Sequence, residues 1–304
     1  LYVWVQTGAL QKLAEKPYSA AMLSSVWGFD LERSEILCRA GEAIGLVIER
    51  KGHYRLTRKG AVLIGLPGVT ALIEHHKILY QDLLNPVGFF KGVEETQLSK
   101  FWPYVFGGGM DLKSSEVEKY SDLMSESQHL VAADTLAAVN IPSVCRFLDV
   151  GGGKGTFVSE LKKIHPKVDA AVFDLPGSHS ENSGHRCIIG SFKEDDLPAG
   201  YDIISLVRIL YDHRDETIRD LLGKAYSALD KGGRLIVSEP MLGADRPTLW
   251  GDVYFAMYTL AMSTGKTRSP DQVSGFIKDA GFSNVTIHKS ARPFITTVIE
   301  AQKT

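Results

Sequence analysis

Cysteine is scarce. Three stand in 304 residues, Cys38, Cys145 and Cys187, far apart and without metal-like spacing. That excludes a disulfide framework and a cysteine zinc site, and it points to a reducing, cytoplasmic setting. Long hydrophobic runs are also missing. The best candidate, Ala61 to Ile73, is broken by Gly65, Pro67 and Gly68 and falls short of the ~18 residues a membrane span needs. Neither sign of charge dominates: 34 Lys and Arg stand against 36 Asp and Glu, a net charge of −2. That balance argues against a dedicated nucleic-acid binder. No internal repeat, low-complexity tract or signal peptide is visible. The chain opens on Leu1 instead of Met, so a preceding segment is expected. What is present is ordinary for a globular protein. Apolar residues make up 44% and charged residues 23%, which excludes a largely disordered chain. The length suits two domains.

The pattern changes character near residue 140. Ahead of it, Ala20–Trp27 reads as a short helix, and Asp30 is a plausible N-cap for a second helix over Leu31–Leu46. Val47-Ile48 and Tyr54-Arg55-Leu56 flank a turn at Lys51-Gly52-His53, a hairpin signal. Helix, turn, helix and hairpin is the order of a winged helix. Arg50, Lys51, Arg55, Arg58 and Lys59 fit either a DNA-binding wing or the solvated edge of a dimerisation or substrate-covering module. The near-neutral net charge favours the second. Residues 71–140 read as mainly helical. The run Phe101-Trp102-Pro103-Tyr104-Val105-Phe106 suits an apolar pocket or a core segment equally, and Tyr120, Met124 and Ser127 share one helix face. Adjacent His75 and His76 beside Glu74 do not face the same way on a helix, so no metal site is expected.

Beyond residue 140 strands and helices alternate, which predicts a parallel sheet with crossover helices. Strands are expected at Arg146–Val150, Ala170–Phe173, Cys187–Ile189, Asp202–Val207 and Arg234–Ser238, with closing strands at Val285–His288 and Phe294–Ile299. Helices are expected at Thr156–Ile164, Asp215–Leu229 and Asp271–Ala280. The strongest motif is Leu148-Asp149-Val150-Gly151-Gly152-Gly153-Lys154-Gly155, a strand that runs into a glycine loop and opens a helix. Glycines there let a ligand approach the backbone. Asp174 ends the next strand, where a carboxylate accepts bonds from ribose hydroxyls. The loop departs from the G-x-G-x-x-G dinucleotide fingerprint, and Asp149 precedes it. A pyrophosphate disfavours a neighbouring carboxylate, whereas a cationic ligand with an amino group suits one. S-adenosylmethionine carries both a sulfonium and an ammonium.

These segments, with Phe173-Asp174-Leu175-Pro176, Gly190-Ser191-Phe192, Arg208-Ile209-Leu210-Tyr211-Asp212 and Gly232 to Glu239, resemble the class I S-adenosylmethionine-dependent O-methyltransferases. Longer strings resemble the bacterial hydroxyneurosporene (demethylspheroidene) O-methyltransferases of carotenoid synthesis. They are Asn85-Pro86-Val87, Phe101 to Val105, Leu206 to His213, Ser238 to Met241, Gly251 to Met262, Gly265 to Pro270 and Arg292 to Thr296. The resemblance covers nearly the whole chain. It implies an α/β fold: a Rossmann-like methyltransferase domain at 141–304, linker helices at 111–140, and a mostly helical winged-helix dimerisation and substrate-covering domain at 1–110. It implies methyl transfer to a tertiary hydroxyl on a long apolar polyene. A homodimer and peripheral contact with the inner membrane, to collect that substrate, go with it. An O-methyltransferase of another apolar metabolite (polyketide or tetrapyrrole) and a winged-helix ligand-sensing regulator are the alternatives.

The site residues follow from motif and resemblance together. Asp149, Gly151, Gly153, Asp174, Leu175, Ser191, Phe192 and Arg208 are the expected cofactor contacts, with Arg208 suited to pair with a carboxylate. Trp102, Tyr254, Met257, Tyr258 and Met262 are the expected substrate contacts. The general base of the plant relatives is a His where this chain has Tyr211, and Thr267 stands where one of two flanking glutamates is expected, Glu239 matching the other. Among Tyr211, Asp212 and His213, the expectation is His213 as base, because an unperturbed imidazole titrates at ~6.5. Tyr211 then positions the hydroxyl, and Glu239 steadies the base.

Overall fold

In a computed structural model the described residues are 1–101, 114–176 and 184–304, excepting the side chains of residues 67, 114–123 and 126. Trp102 and most of the aromatic run to Phe106 therefore lie outside the described residues. The chain divides into two compact units, Leu1–Tyr80 and Gln81–Thr304.

The first unit contains α1 (Tyr2–Gln6), α2 (Ala9–Glu15), α3 (Ala20–Trp27), α4 (Leu31–Ala43), β1 (Val47–Arg50), β2 (His53–Leu56), α5 (Arg58–Gly65) and most of α6 (Pro67–Asp82). Side-chain caps set the starts of its helices. Ser19 accepts from the amide of Met22, and the expected cap Asp30 accepts from Arg33 at 2.8 Å. Helix α4 stops three residues short of the expected Leu46, because Gly45 turns left-handed and Leu46 is drawn into the core. Lys51 and Gly52 both take positive φ, the geometry of a tight hairpin turn between β1 and β2. Trp4 and Trp27 meet edge to face at 5.1 Å and anchor a core with Leu10, Leu23 and Cys38. Arg50, Lys51, Arg55, Arg58 and Lys59 are all exposed.

The second unit adds α7 (Pro86–Lys91), α8 (Gln97–Phe101) and the long α9 (Ser114–Ala138), then the sheet domain. That domain runs β3 (Arg146–Val150), α10 (Thr156–Ile164), β4 (Asp169–Asp174), β5 (Arg186–Ile189), β6 (Tyr201–Val207), α11 (Asp215–Ala228) and β7 (Leu229–Glu239). It closes with α12 (Ala256–Met262), α13 (Pro270–Asp279), β8 (Ser283–His288) and β9 (Thr297–Gln302). The seven strands lie in the order β5-β4-β3-β6-β7-β9-β8; the first five are parallel and β9 runs antiparallel to both neighbours. Alternate residues feed two cores. Leu148 and Val150 pack with Leu221 of α11 and Ile277 of α13, while Phe147 packs with Phe157 of α10 and Val131 of α9. Burial on both faces explains why these strands read as continuous apolar runs.

Elements of this unit also differ from the sequence expectation, and β7 begins at Leu229, five residues ahead of the expected Arg234. Strand β9 begins at Thr297, because Pro293 to Ile295 form a turn. The segment before α12 is a π-helix, Leu249–Phe255, capped by the Thr248 hydroxyl.

Order reverses between β3 and β6: the chain leaves β3 outward through β4 and β5, then returns to the other side. In open α/β sheets the carboxyl ends at such a reversal form the ligand crevice. Helix α9 is fastened beside it. Its Asp134, 3% exposed, takes a bidentate pair from Arg292 at 2.7–3.1 Å. Removing one partner of a buried pair leaves an uncompensated charge, which costs roughly 3–5 kcal/mol. Arg292 is about one-third exposed, so water relieves part of this. Arg292→Ala should lower the unfolding free energy by about 2–3 kcal/mol in urea melts. In an Asp134→Asn background the loss should shrink; equal losses in both backgrounds would mean the pair does not hold α9.

Candidate active site

The glycine loop leaves β3 as expected and is tied to its neighbour strand by Gly151 N donating to Phe173 O at 2.8 Å. Asp149 lies beneath the loop, 1% exposed, and accepts from Ser205 Oγ at 2.5 Å. Its carboxyl sits so close under Gly152 that any Cβ there would collide with it. Its other oxygen is buried and has no partner among the described residues. Burial raises the carboxyl to about 7. Gly153 takes φ +54, and the space its missing Cβ would occupy is open. This is a cradle with an open face at Gly153 and one buried acceptor below it. Such a donor set fits a ligand bearing an ammonium and a sulfonium better than one bearing a pyrophosphate.

Asp174 ends β4 beside the loop. Its two oxygens accept from Gly153 N and Leu175 N, both at 2.6 Å. A carboxylate offers about four acceptor directions. Ser191 and Phe192 follow β5. The Ser191 amide donates to Asp195, and the Phe192 carbonyl accepts from Lys224. The Phe192 ring meets the His213 ring edge-on at 5.2 Å.

Arg208 holds a left-handed φ of +60 just past β6, a strained conformation of the kind that clusters at functional sites. Its guanidinium donates to Ser127, Gln128 and Met124 of α9 and lies near the Asp212 carboxyl. A single turn of 3₁₀ helix, Leu210–Asp212, follows. Glu239, at the end of β7, accepts from the amides of Ile209 and Leu210 at 2.8 and 2.7 Å. Arg268, 3% exposed, donates to the carbonyls of Leu210 and His213. Lys266 N donates to Tyr211 O. The turn is thus held on its amides by one buried acid and on its carbonyls by one buried base.

This frame corrects the premise on which His213 was favoured. Burial pushes its imidazole down to about 3, helped by the charges of Lys193 and Arg268. It is neutral at physiological pH, but it is a far weaker base than the ordinary ~6.5 suggests. The neighbouring carboxyls move the other way. Burial raises Asp212 to about 7 and Glu239 to about 8, and the Asp212 charge adds to the rise of Glu239. Each has one buried oxygen without a partner among the described residues, Asp212 Oδ1 and Glu239 Oε2. An unmet buried acceptor costs roughly 1–3 kcal/mol. Asp212 is one of the three residues the sequence offers for the base, where His213 is preferred; Arg268 is given no role there. Asp212 carried one available signal, its place beside Tyr211.

The aromatic run lies over the same turn. Tyr211 and Phe255 meet at 6.4 Å, Phe255 and Tyr254 at 4.7 Å, and Tyr254 and Tyr258 at 6.0 Å. Tyr254 and Met257 are partly exposed, whereas Tyr258 is buried and Met262 is fully buried. The hydroxyls of Thr259 and Thr267 bond at 3.1 Å, so Thr267 fastens α12 to the loop ahead of Arg268. Among the described residues, no cluster of His, Cys, Asp and Glu has metal-binding geometry. No single described helix is long and apolar enough to cross a membrane.

Residues 80–283 match the O-methyltransferase domain family. The demethylspheroidene O-methyltransferase of Rhodobacter capsulatus is 42% identical over 98% of this chain and 77% of its own length. The enzyme of the same name from Cereibacter sphaeroides is 40% identical over 99% of this chain and 82% of its own. The crystal structure of human N-acetylserotonin methyltransferase in complex with SAM superposes with a TM-score of 0.75. It does so at 22% identity, over 99% of this chain and 92% of that one, which is a likeness of fold.

The raised Glu239 carboxyl sets a pH dependence of stability. Its folded value lies above its unfolded one. Its contribution is therefore full below the unfolded value of about 4.5 and is lost as pH rises through about 8. Glu239→Gln removes that loss. The melting temperature of the variant should gain on the wild type as pH rises from about 4.5 to about 8. A constant difference across that range, followed by calorimetry, would place the titration of Glu239 elsewhere.

Proposed function

The chain belongs to the O-methyltransferase family, and on that premise we propose that it methylates the tertiary hydroxyl of an acyclic carotenoid, with S-adenosylmethionine as donor. The observation that carries this reading is the 42% and 40% identity, over nearly the whole chain, to two proteins named demethylspheroidene O-methyltransferase. The partly exposed aromatic run beside Tyr211 supports it, because a polyene needs a long apolar surface next to the reacting centre.

The donor supplies an activated methyl group on a sulfonium. The residues of this chain hold it and aim the acceptor. The open face at Gly153 and the loop from Gly151 admit the ligand backbone, and the unmet Asp149 oxygen suits its ammonium. Asp174, with Leu175 beside it, takes the ribose hydroxyls. Ser191 and Phe192 border the adenine. Arg208 acts at a distance, by fastening α9 over the crevice. Tyr254, Met257 and Tyr258 lead the substrate toward Tyr211, whose phenol orients the hydroxyl. Glu239 fixes the turn that carries Tyr211. Displacement at a methyl carbon needs the nucleophile in line at near-attack distance and water kept out; the buried turn provides both.

The first unit serves as the dimerisation and substrate-covering module in this reading. Its exposed basic residues are then a solvated edge. Trp250 and Phe294, both exposed and 6.3 Å apart, suit peripheral contact with the membrane that holds the substrate.

Two measurements test the proposal. Incubation with S-adenosylmethionine and an acyclic 1-hydroxycarotenoid should give a methyl ether detectable by mass; methylation of small phenols alone would refute the carotenoid assignment. In calorimetry, Asp174→Ala should weaken S-adenosylmethionine binding by about 10- to 100-fold, the worth of charge-assisted bonds of roughly 1.5–3 kcal/mol. Unchanged affinity would remove Asp174 from the site.

A further inference from the structure

The turn after β6 holds more acceptor capacity than the fold uses. Asp212 Oδ1 and Glu239 Oε2 are both buried and unpartnered among the described residues. Glu239 cannot swing away to find water, because its Oε1 is held by two backbone amides. Asp212 directly follows Tyr211, whose ring touches the aromatic run and whose side chain hydrogen-bonds the Asp212 carboxyl. We propose that Asp212, backed by Glu239, accepts the proton that leaves the substrate hydroxyl. The inference rests on the methyl-transfer reading above.

The charged and titratable groups facing Asp212 are Arg208 past β6, Tyr211 on its own turn and Glu239 at the end of β7. Arg208 and Tyr211 favour the carboxylate. Burial favours the acid, and the Asp212 charge in turn raises Glu239. Two carboxyls in one dry site do not both ionise cheaply, so the pair titrates as a unit and keeps one acceptor near neutral pH. His213 is placed less well. Its ring is spent on Phe192, and the cations Lys193 and Arg268 face it.

The step balances. An oxygen lone pair forms the bond to the methyl carbon, and the carbon–sulfur pair leaves with sulfur. The oxygen–hydrogen pair stays on oxygen as the proton passes to the Asp212 carboxylate. One positive and one negative charge vanish together, which a water-excluded site favours over separating them.

Three measurements decide this. First, Asp212→Asn should lower kcat by about 10²- to 10⁴-fold while calorimetry shows S-adenosylmethionine affinity within about threefold. His213→Phe, which keeps a ring against Phe192 but takes no proton, should keep kcat within about tenfold. Second, kcat of the wild type should fall as pH drops through neutrality. Asp212→Asn should erase that limb, because the group that titrates there is gone; a merely structural role would lower kcat and leave the limb in place. Third, infrared titration of the unliganded Asp149→Asn chain, which lacks the other carboxyl raised to about 7, should show a carboxyl losing its proton in the neutral range. That band reads the pair without any turnover, and it serves if the Asp212→Asn variant fails to fold. Asp212→Asn with nearly full kcat, His213→Phe with the larger loss, or no neutral-range carboxyl band would each overturn the proposal. A wild-type chain that binds no S-adenosylmethionine would overturn the reading beneath it as well. An active wild type with an equally active Asp212→Asn variant would overturn this inference alone.

Discussion

The site depends on one buried carboxyl. A chain that leaves β6 at the point where the sheet reverses presents amides that no strand can accept. Glu239 accepts two of them, from Ile209 and Leu210. Because it does so from the end of β7, deep in the sheet, it cannot be solvated, and desolvation makes it a weak acid. The adjoining Asp212 carboxyl is buried by the same turn. A structural need, capping a turn, thereby creates the chemical property of the site, a carboxyl cluster that titrates near neutrality. Arg268 completes the frame by taking the carbonyls of Leu210 and His213 and pairing with Asp215. With amides and carbonyls held from opposite sides, Tyr211 and Asp212 have little freedom to move, which is the condition for placing a reacting hydroxyl accurately.

Two further elements close over this turn from distant parts of the chain. Helix α9 is gripped at Asp134 by Arg292 and at Ser127 and Gln128 by Arg208. The strained backbone of Arg208 is held by what it grips and by its own amide, which donates to Ser238 O at 2.8 Å. From the other side comes the π-helix Leu249–Phe255. A wider turn re-aims the side chains that follow it, and such insertions recur at functional sites. Here the aromatic pair Tyr254 and Phe255 ends the π-helix and meets Tyr211.

The parts of this arrangement that local chemistry dictates were legible in the sequence. The strands around the glycine loop are apolar runs of strand length, and Asp174 follows at the distance one crossover helix imposes. The Asp30 cap needs only its own helix. Legibility failed where a residue answers to partners far along the chain. The imidazole of His213 looks ordinary until Phe192, Lys193 and Arg268 enclose it. The π-helix has apolar residues at spacings any helix would accept, so its extra residue leaves no trace. Strand β9 begins late because the Pro293 to Ile295 turn ends with Thr296 bonding to Ser238 in the sheet interior. Arg268 reads as a surface cation, since nothing in its neighbours announces a buried carbonyl pair.

Local rules are broken most often where function resides, and the cost is met elsewhere in the fold. The breaches in this chain are concentrated: a left-handed arginine, two raised carboxyls with unmet oxygens, a depressed histidine and a π-helix all surround one turn. The surrounding sheet, apolar on both faces, helps to offset them. The loop at Asp149 repeats the pattern on a smaller scale, with a buried acid and one unmet acceptor under an open glycine. Two sites of stored electrostatic cost thus face the same crevice from neighbouring strands β3 and β6. A donor that brings a cation to the first and an acceptor that brings a departing proton to the second relieve both. The fold is therefore expected to be most stable with both bound.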